Sequence, residues 1–440
     1  MQKIRKFPKV DGDLGWFETS PGRDQVFGER LKGVHHADIA IIGAGYTGLS
    51  LAHRLAELNP GARIALVDAL RIGQGTSGRN AGFIIDLPHN LDAAEPDVEH
   101  DRMLHRLNTF SISRLEQFKT RYGIDCSWQQ AGKYMAAHES SNLSGLDSFV
   151  STLRSSNFDY EDISGAELSK RLGTSYYQRA IYTPGNILMN PASLVRGVAS
   201  ALPKNVTVFE QSPIIACEYG APHVIRSVGG EIRAACLVQT TNSFGEEFGQ
   251  LANRLAPVFT YASLTEPLSD RDFETYFKSV KPWGLTSAHP AGTTVRLTPD
   301  RRIFIRNVLD FEPQLCSQAE GLQRAWQQHR LSFERRFPQL KHMTFHYTWG
   351  GMLCMTLNHQ SVFMDCGDNL YVVGGCNGVG VAKGTYLGYY MADYINKNTS
   401  AELDFILAHS QPSWVPPDPL RTLGARIRLK YESRNAGGDI

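Results

Sequence analysis

The sequence predicts an α/β chain of more than one domain, and three observations carry that reading. A short, mostly apolar run, Ala37-Asp38-Ile39-Ala40-Ile41-Ile42, passes straight into a glycine cluster and then into apolar residues at helical spacing. A second strand-length run, Arg63-Ile64-Ala65-Leu66-Val67, follows Asn59-Pro60-Gly61 and closes on Asp68. Near the other end, Asn369-Leu370-Tyr371-Val372-Val373 again leads through glycines into a helical stretch from about 385 to 395. Strands alternating with helices through glycine turns describe a parallel sheet covered on both faces.

Composition agrees and narrows the function classes. At 440 residues, 42% hydrophobic and 20% charged, the chain is globular and long enough for two or three domains. Its 45 basic and 44 acidic residues leave a net charge of +1, which speaks against a nucleic-acid partner. No run approaches the ~20 apolar residues of a membrane span. The basic start, Met1 to Pro8, lacks the apolar stretch of a secretory signal. The cysteines at 126, 217, 236, 316, 354, 366 and 376 are scattered and form no Cys-x-x-Cys pair. Neither a disulfide framework nor a metal site is expected, and a cytoplasmic location follows.

The first glycine cluster has a physical reading. In Gly43-Ala44-Gly45-Tyr46-Thr47-Gly48 the first glycine permits a tight turn and the second admits a pyrophosphate to the backbone. The third lets helix and strand pack closely, so the unit reads as a Rossmann-type dinucleotide site. Free N–H groups and the positive end of the helix dipole would face the phosphates. Asp68 is spaced to accept from ribose hydroxyls and would repel a 2′-phosphate, which leaves NAD and FAD open.

The second cluster, Gly73-Gln74-Gly75-Thr76-Ser77-Gly78-Arg79-Asn80-Ala81-Gly82, follows the second strand, where open α/β sheets bind ligands. The third, Gly374-Gly375-Cys376-Asn377-Gly378-Val379-Gly380-Val381-Ala382-Lys383-Gly384, aims a second helix N-terminus at the same region.

Together these three segments resemble the D-amino-acid-oxidase superfamily of FAD enzymes. The likeness is greatest to its glycine/sarcosine oxidase and γ-glutamylputrescine oxidase branch and spans roughly residues 33–398. Pro184-Gly185-Asn186, Thr265-Glu266-Pro267, Arg296-Leu297-Thr298-Pro299-Asp300 and Trp349-Gly350-Gly351 fall in the same order. The resemblance implies FAD, held by Gly43, Ala44, Gly45, Tyr46, Thr47, Gly48 and Asp68, by Ser77, Gly78, Arg79, Asn80, Ala81 and Gly82, and by Gly375, Asn377, Gly378, Val379, Gly380 and Val381. Pro213, in the Gln211-Ser212-Pro213 turn, would meet the adenine end.

The same resemblance implies a discontinuous FAD domain at 33–100, 160–250 and 350–398. A substrate domain with a mainly antiparallel sheet would take 101–159 and 251–349, leaving 399–440 as a C-terminal tail. Strand character in Ala256–Tyr261 and Thr294–Leu297 supports the antiparallel reading.

The implied reaction oxidises the C–N bond of a small amine or amino acid to an imine by hydride transfer to flavin N5. Substrates would be secondary amino acids of the pipecolate or sarcosine type, or γ-glutamylputrescine-like amines, with oxygen or a quinone as electron acceptor. Such chemistry needs an oriented, neutral amine more than a strong base, so no catalytic residue is assigned. A substrate carboxylate would call on Lys133, Arg296, Arg302 or Arg306, and aromatic walls could come from Tyr261, Trp283, Tyr347 or Trp349. His346 and His359 are further polar candidates.

Relatives that bind flavin covalently use a cysteine near Cys354, but aligning on Met355-Thr356-Leu357 puts Gly351 at that position, so non-covalent FAD is expected. A basic tail, Arg421, Arg426, Arg428, Lys430 and Arg434, could make a peripheral membrane contact. The alternatives are an FAD-dependent 2-hydroxy-acid or polyol-phosphate dehydrogenase and a non-catalytic flavin-binding protein.

Overall fold

The protein is described by a computed structural model covering residues 1–10, 12–88 and 97–440. β1 (Gly33–Ile42) runs into the glycine turn, α1 (Tyr46–Leu58) and β2 (Ile64–Val67), the unit expected from the motif. α2 (Val98–Tyr122) starts where the Asp97 side chain accepts from the His100 N–H and ends at Gly123 with φ +62°. There follow β3 (Lys133–Ala137), β4 (Glu161–Ser164), β5 (Arg179–Thr183), β6 (Val206–Phe209) and β7 (Gly230–Gln239). The chain continues through β8 (Ala256–Thr265), β9 (Trp283–Ser287), β10 (Thr294–Leu297) and β11 (Ile303–Phe311) to α3 (Ala319–Arg336). It closes with β12 (Phe345–Met355), β13 (Leu370–Gly374), α4 (Gly380–Ile395) and α5 (Leu420–Asn435).

Five parallel strands form the first sheet in the order β13-β7-β1-β2-β6. β7 also starts an antiparallel meander with strands His223–Arg226 and Ala216–Glu218, and Gln2–Lys3 pairs on its outer edge. α1 and α4 pack together on one face over Leu49, Leu51, Leu387 and Met391. The second sheet runs β12-β8-β11-β10-β9-β3-β5-β4, antiparallel at every pairing except β9 with β3.

The sheets redraw the expected domain pieces. β4 and β5 lie within the 160–250 piece expected in the cofactor domain, yet they pair in the second sheet. β12 straddles position 350 and belongs to that sheet throughout. α2, expected in the substrate piece 101–159, packs instead in the core of the first domain through Leu107, Ile112 and Leu115. Its Ser111 Oγ donates to the Ala382 carbonyl at 2.8 Å. The reason is amphipathic: α2 buries one apolar stripe, and the nearest apolar surface is α4. Residues 89–96, in the piece expected at 33–100, lie outside the described residues.

Two segments that sequence reading left unstructured are fastened down. The leader crosses both sheets, burying Leu14, Trp16 and Phe17 against Phe304 and Trp349, with the Trp16 ring stacked 5.3 Å from Phe304. The tail ends in a latch, where Asp439 Oδ1 accepts from the His138 N–H at 2.6 Å and its carbonyl accepts from Thr293 N at 2.7 Å. Among the described residues, no helix is long and apolar enough to cross a membrane.

Candidate functional site

A cleft of about 1420 Å³, open mouth included, runs along the C-terminal ends of β1, β2, β7 and β13. Gly43, Ala44, Gly45, Tyr46 and Thr47 line it from the first glycine segment, Ser77 and Asn80 from the second, and Gly378 and Gly380 from the third. Three segments, the third over 290 residues beyond the second, therefore meet on one cavity, as parallel-sheet topology requires.

The turn into α1 can be built only with glycine. Gly43 adopts φ +106°, and a Cβ on Gly48 would lie 1.8 Å from the Gly43 carbonyl oxygen. Gly45, the residue before α1, gives the helix no side-chain cap. α4 also starts uncapped, at Val379. The two helices cross tightly, because a Cβ on Gly384 would sit 2.9 Å from Thr47 Oγ1 and one on Gly388 2.2 Å from the Thr47 carbonyl. The Tyr46 N–H already donates to Ser77 Oγ at 3.1 Å, but the remaining first-turn donors and two positive dipole ends converge on the same space.

Asp68 lines the cleft and accepts from the Ala44 N–H at 2.8 Å and the Leu70 N–H at 2.9 Å. Burial pushes its pKa up from 3.8 to about 6, against the opposing pull of those two hydrogen bonds. Each oxygen keeps a lone pair for a hydroxyl donor. The Thr241 hydroxyl, also on the cleft, is buried without a partner. A hydroxyl-bearing, anionic ligand would satisfy both. These residues fit FAD: the uncapped helix ends would hold the pyrophosphate, Asp68 the adenosine ribose, and Thr241 a further hydroxyl.

Other residues expected at the cofactor serve as framework. The Arg79 guanidinium donates to the carbonyls of Gln74 and Gly350, each at 2.7 Å, tying the second glycine segment to β12. Asn80 folds its own loop, donating to the Ser77 carbonyl and accepting from the Gly82 N–H. Gly78 and Gly82 are close-approach positions; a Cβ on Gly82 would lie 1.9 Å from Arg296 Nη1. Pro213 sits between the cleft-lining Ser212 and Ile214 without lining it, and Ala81, Gly375 and Val381 are likewise set back. Asn377 and Val379 line a second cavity of about 960 Å³ on the other side of the loop, together with Lys383.

The expected substrate residues separate clearly. Arg296 is buried and donates to the carbonyls of Ala81, Gly82 and Met189 at 2.7, 3.2 and 3.0 Å, with Trp16 stacked over it. It clamps the second sheet to the glycine segment through Nη1 alone, and its buried Nε has no partner. Arg302 is bound to Asp300 and to the Thr265 carbonyl, each at an ordinary distance of 2.9 and 2.8 Å. Trp349 is a core residue, its Nε1 donating to the Arg79 carbonyl. Tyr261 faces α3, where it packs with Phe259, Leu315 and Ala325, because strand alternation puts it on the face of Phe259 and leaves the opposite face to Ala262 and Leu264. Lys133 is buried beside Asp86 and Phe149; burial lowers its pKa to about 8 although Asp86 acts in the opposite direction.

Arg306 behaves differently. It shares a strand face with Phe304, which contacts Trp16 and Trp349 beside the glycine segment. It is set back from the cleft lining. Its Nε, like that of Arg296, is buried with no partner, but no carboxylate acts on it, and burial alone lowers its pKa to about 10.

Sequence reading missed the leader's part in the site. Ile4, Lys6, Phe7 and Pro8 form one wall of the cleft, with Lys6 held 3.3 Å from Glu247. Thr240, Asn242 and Met352 line it as well. The leader carries no periodic signal, because its structure comes from pairing with a strand more than 200 residues away. Cys354 is buried among Leu251, Leu255, Val362 and Val372, and burial raises its pKa well above that of an ordinary thiol. Such a thiol is inert. Among the described residues, no group of three or more His, Cys, Asp or Glu could hold a metal.

Fold and cleft together define a dinucleotide-binding oxidoreductase, with a doubly wound sheet and an antiparallel cover meeting at the cleft. The chain belongs to the FAD dependent oxidoreductase family, DAO, whose model matches residues 38–394. It is 26% identical over 366 residues to gamma-glutamylputrescine oxidoreductase of Escherichia coli, covering 81% of this chain and 83% of that protein. To the probable oxidoreductase OrdL of Haemophilus influenzae it is 24% identical over 417 residues, covering 91% and 92%. Glycine oxidase from Geobacillus kaustophilus shares the fold with a TM-score of 0.69 at 17% identity, covering 83% of this chain and 96% of that one. L-proline dehydrogenase from P. horikoshii does so at 0.67 and 16% identity, covering 86% and 97%. The protein is thus an FAD-dependent oxidoreductase.

Proposed function

We propose that this enzyme oxidises the C–N single bond of a small amino acid, or of an amine carrying an anionic group, to an imine that water then hydrolyses. FAD, when bound, supplies the acceptor for the two electrons and the hydrogen. Oxygen or a quinone then takes the electrons on. The relatives named for γ-glutamylputrescine, glycine and L-proline support a C–N bond as the target.

The observation that carries the reading is Arg306. A buried guanidinium without an acid is costly unless a ligand supplies the counter-charge. A substrate carboxylate does so, and Arg is the side chain whose planar fork grips one. Arg306 then anchors the substrate at one end. Its positive charge also lowers the pKa of a nearby ammonium, which favours the neutral amine that hydride loss requires. Arg296 and Arg79 keep the two walls in register but do not touch substrate.

The test is anaerobic bleaching of the flavin by a panel of primary and secondary amino acids, carboxylate-free amines and 2-hydroxy acids. Amino acids are expected to bleach it, and reduction by 2-hydroxy acids alone would sink the proposal. Arg306→Gln should raise KM for the best amino acid at least about tenfold, from the loss of a charge-assisted bond worth about 1.5–3 kcal/mol. It should change KM for any carboxylate-free amine far less, because such a substrate loses only the effect of the charge on its ammonium.

A further inference from the structure

Helix α5 is mounted with a stripe of large apolar residues outward. Its partly covered residues, Arg421, Ala425, Leu429 and Glu432, recur at helical spacing and face β11. Its outward face carries Leu420, Leu423, Ile427 and Tyr431, exposed by 64, 59, 62 and 59%. These four fall at i, i+3, i+7 and i+11, a single stripe down the helix.

The orientation is imposed at both ends. At the start, Arg421 Nη1 donates to both Glu246 carboxylate oxygens at 2.9 Å, and Nη2 to Asp418 at 3.0 Å. At the far end, the Asp439 latch holds the chain against His138 and Asn142. A helix pinned this way cannot roll its apolar stripe inward.

We propose that α5 is a docking face for an anionic lipid surface. The helix carries five basic residues against one acid, Glu432, and that acid is paired with Arg428 at 2.6 Å. Arg426 and Lys430 border the stripe on one flank and Arg428 on the other, and Arg434, seven residues beyond Ile427, continues its line, all exposed. A second copy of the chain pairing through this face would set basic flank against basic flank, a like-charge contact that disfavours association. An anionic bilayer offers an apolar interior for the stripe and negative headgroups for its flanks. Tyr431 and the exposed Trp414, just before the helix, have the amphipathic rings that settle at such an interface. The inference is independent of which substrate the enzyme oxidises.

The experiment is co-sedimentation of the flavin-loaded, full-length enzyme with vesicles of phosphatidylcholine, with and without phosphatidylglycerol. Three unpaired cations near the surface should favour the anionic vesicles on the order of a hundredfold, and added salt should weaken the preference. Arg426→Glu with Lys430→Glu should abolish that preference. Ile427→Glu should reduce binding to anionic vesicles at least about tenfold. Both variants change exposed positions only, and unchanged flavin absorbance will show that they fold. Equal binding to the two vesicle types, or to neither, overturns the proposal. So does a dimer in lipid-free buffer that Ile427→Glu dissociates, which would assign the face to a second copy.

Discussion

The two sheets of this enzyme present their polar groups by opposite means. The parallel sheet presents backbone: two uncapped helix N-termini, three glycine segments and one carboxylate, Asp68, whose job is partly to brace Ala44 and Leu70. The antiparallel sheet presents side chains, above all Arg296 and Arg306 on one face. A backbone site tolerates no added atom where the ligand or the next element must approach. A side-chain site depends on which partners each group has already taken. The sharpest way to separate the two is to alter one atom group in each.

The largest effect is expected at Gly48. Gly48→Ala puts a methyl 1.8 Å from the Gly43 carbonyl, and neither backbone can yield without displacing β1 or α1. The variant should purify without flavin, or fail to fold, as read by absorbance and thermal melting. A yellow Gly48→Ala protein of unchanged Tm would show that the close approach of turn and helix is not required.

Next comes Arg296→Met, which keeps the stem over Trp16 but removes the donor to Ala81, Gly82 and Met189. Stranding buried acceptors costs about 1–3 kcal/mol each, so a loss of several kcal/mol and weaker flavin retention are expected. Denaturant unfolding measures the first and ultrafiltration the second. A variant with unchanged stability and flavin retention but a raised KM would instead make Arg296 a substrate ligand.

Asp68 gives the comparison a pH axis. Its pKa in the flavin-free fold is raised from 3.8 to about 6 by burial, so the folded protein holds a proton there that the unfolded chain gives up. The charged form therefore costs stability, and the cost appears as pH rises from about 4 through 6. Ribose hydroxyls donate to the charged form, so flavin binding should tighten over the upper part of that window, from about pH 5 to 7. Asp68→Asn should flatten both slopes and weaken FAD by roughly 10–100-fold, the loss of a hydrogen bond to a charged group. Titration of the flavin-free protein with FAD at several pH values decides it.

The same division explains what could be read in advance. A backbone site leaves contiguous marks, so the Gly43–Gly48 turn, Asp68 and the third glycine segment were legible as residues and spacing. A side-chain site leaves isolated cations, and Lys133, Arg296, Arg302 and Arg306 look alike until their partners are known. β4 and β5 were misplaced because strand character says nothing of which sheet a strand joins. The leader's wall of Ile4, Phe7 and Pro8 was invisible because it depends on docking beside Phe248 and Ile214.

The smallest expected effect is the most discriminating for the substrate sheet. Arg302 and Arg306 lie on one strand margin, four positions apart, with the same charge. Arg302 already satisfies Asp300 and the Thr265 carbonyl, and its carboxylate partner is more than half exposed. Such a pair contributes about 0–1 kcal/mol, so Arg302→Gln should lower stability by no more than that. Its KM for amino acids should stay within about twofold of wild type, since no free donor edge is lost. Arg306→Gln should do the reverse, sparing stability or even improving it by removing a buried unpaired charge while KM climbs. If the two variants move KM equally, the substrate anchor is not Arg306 and the cation preference of the site is diffuse.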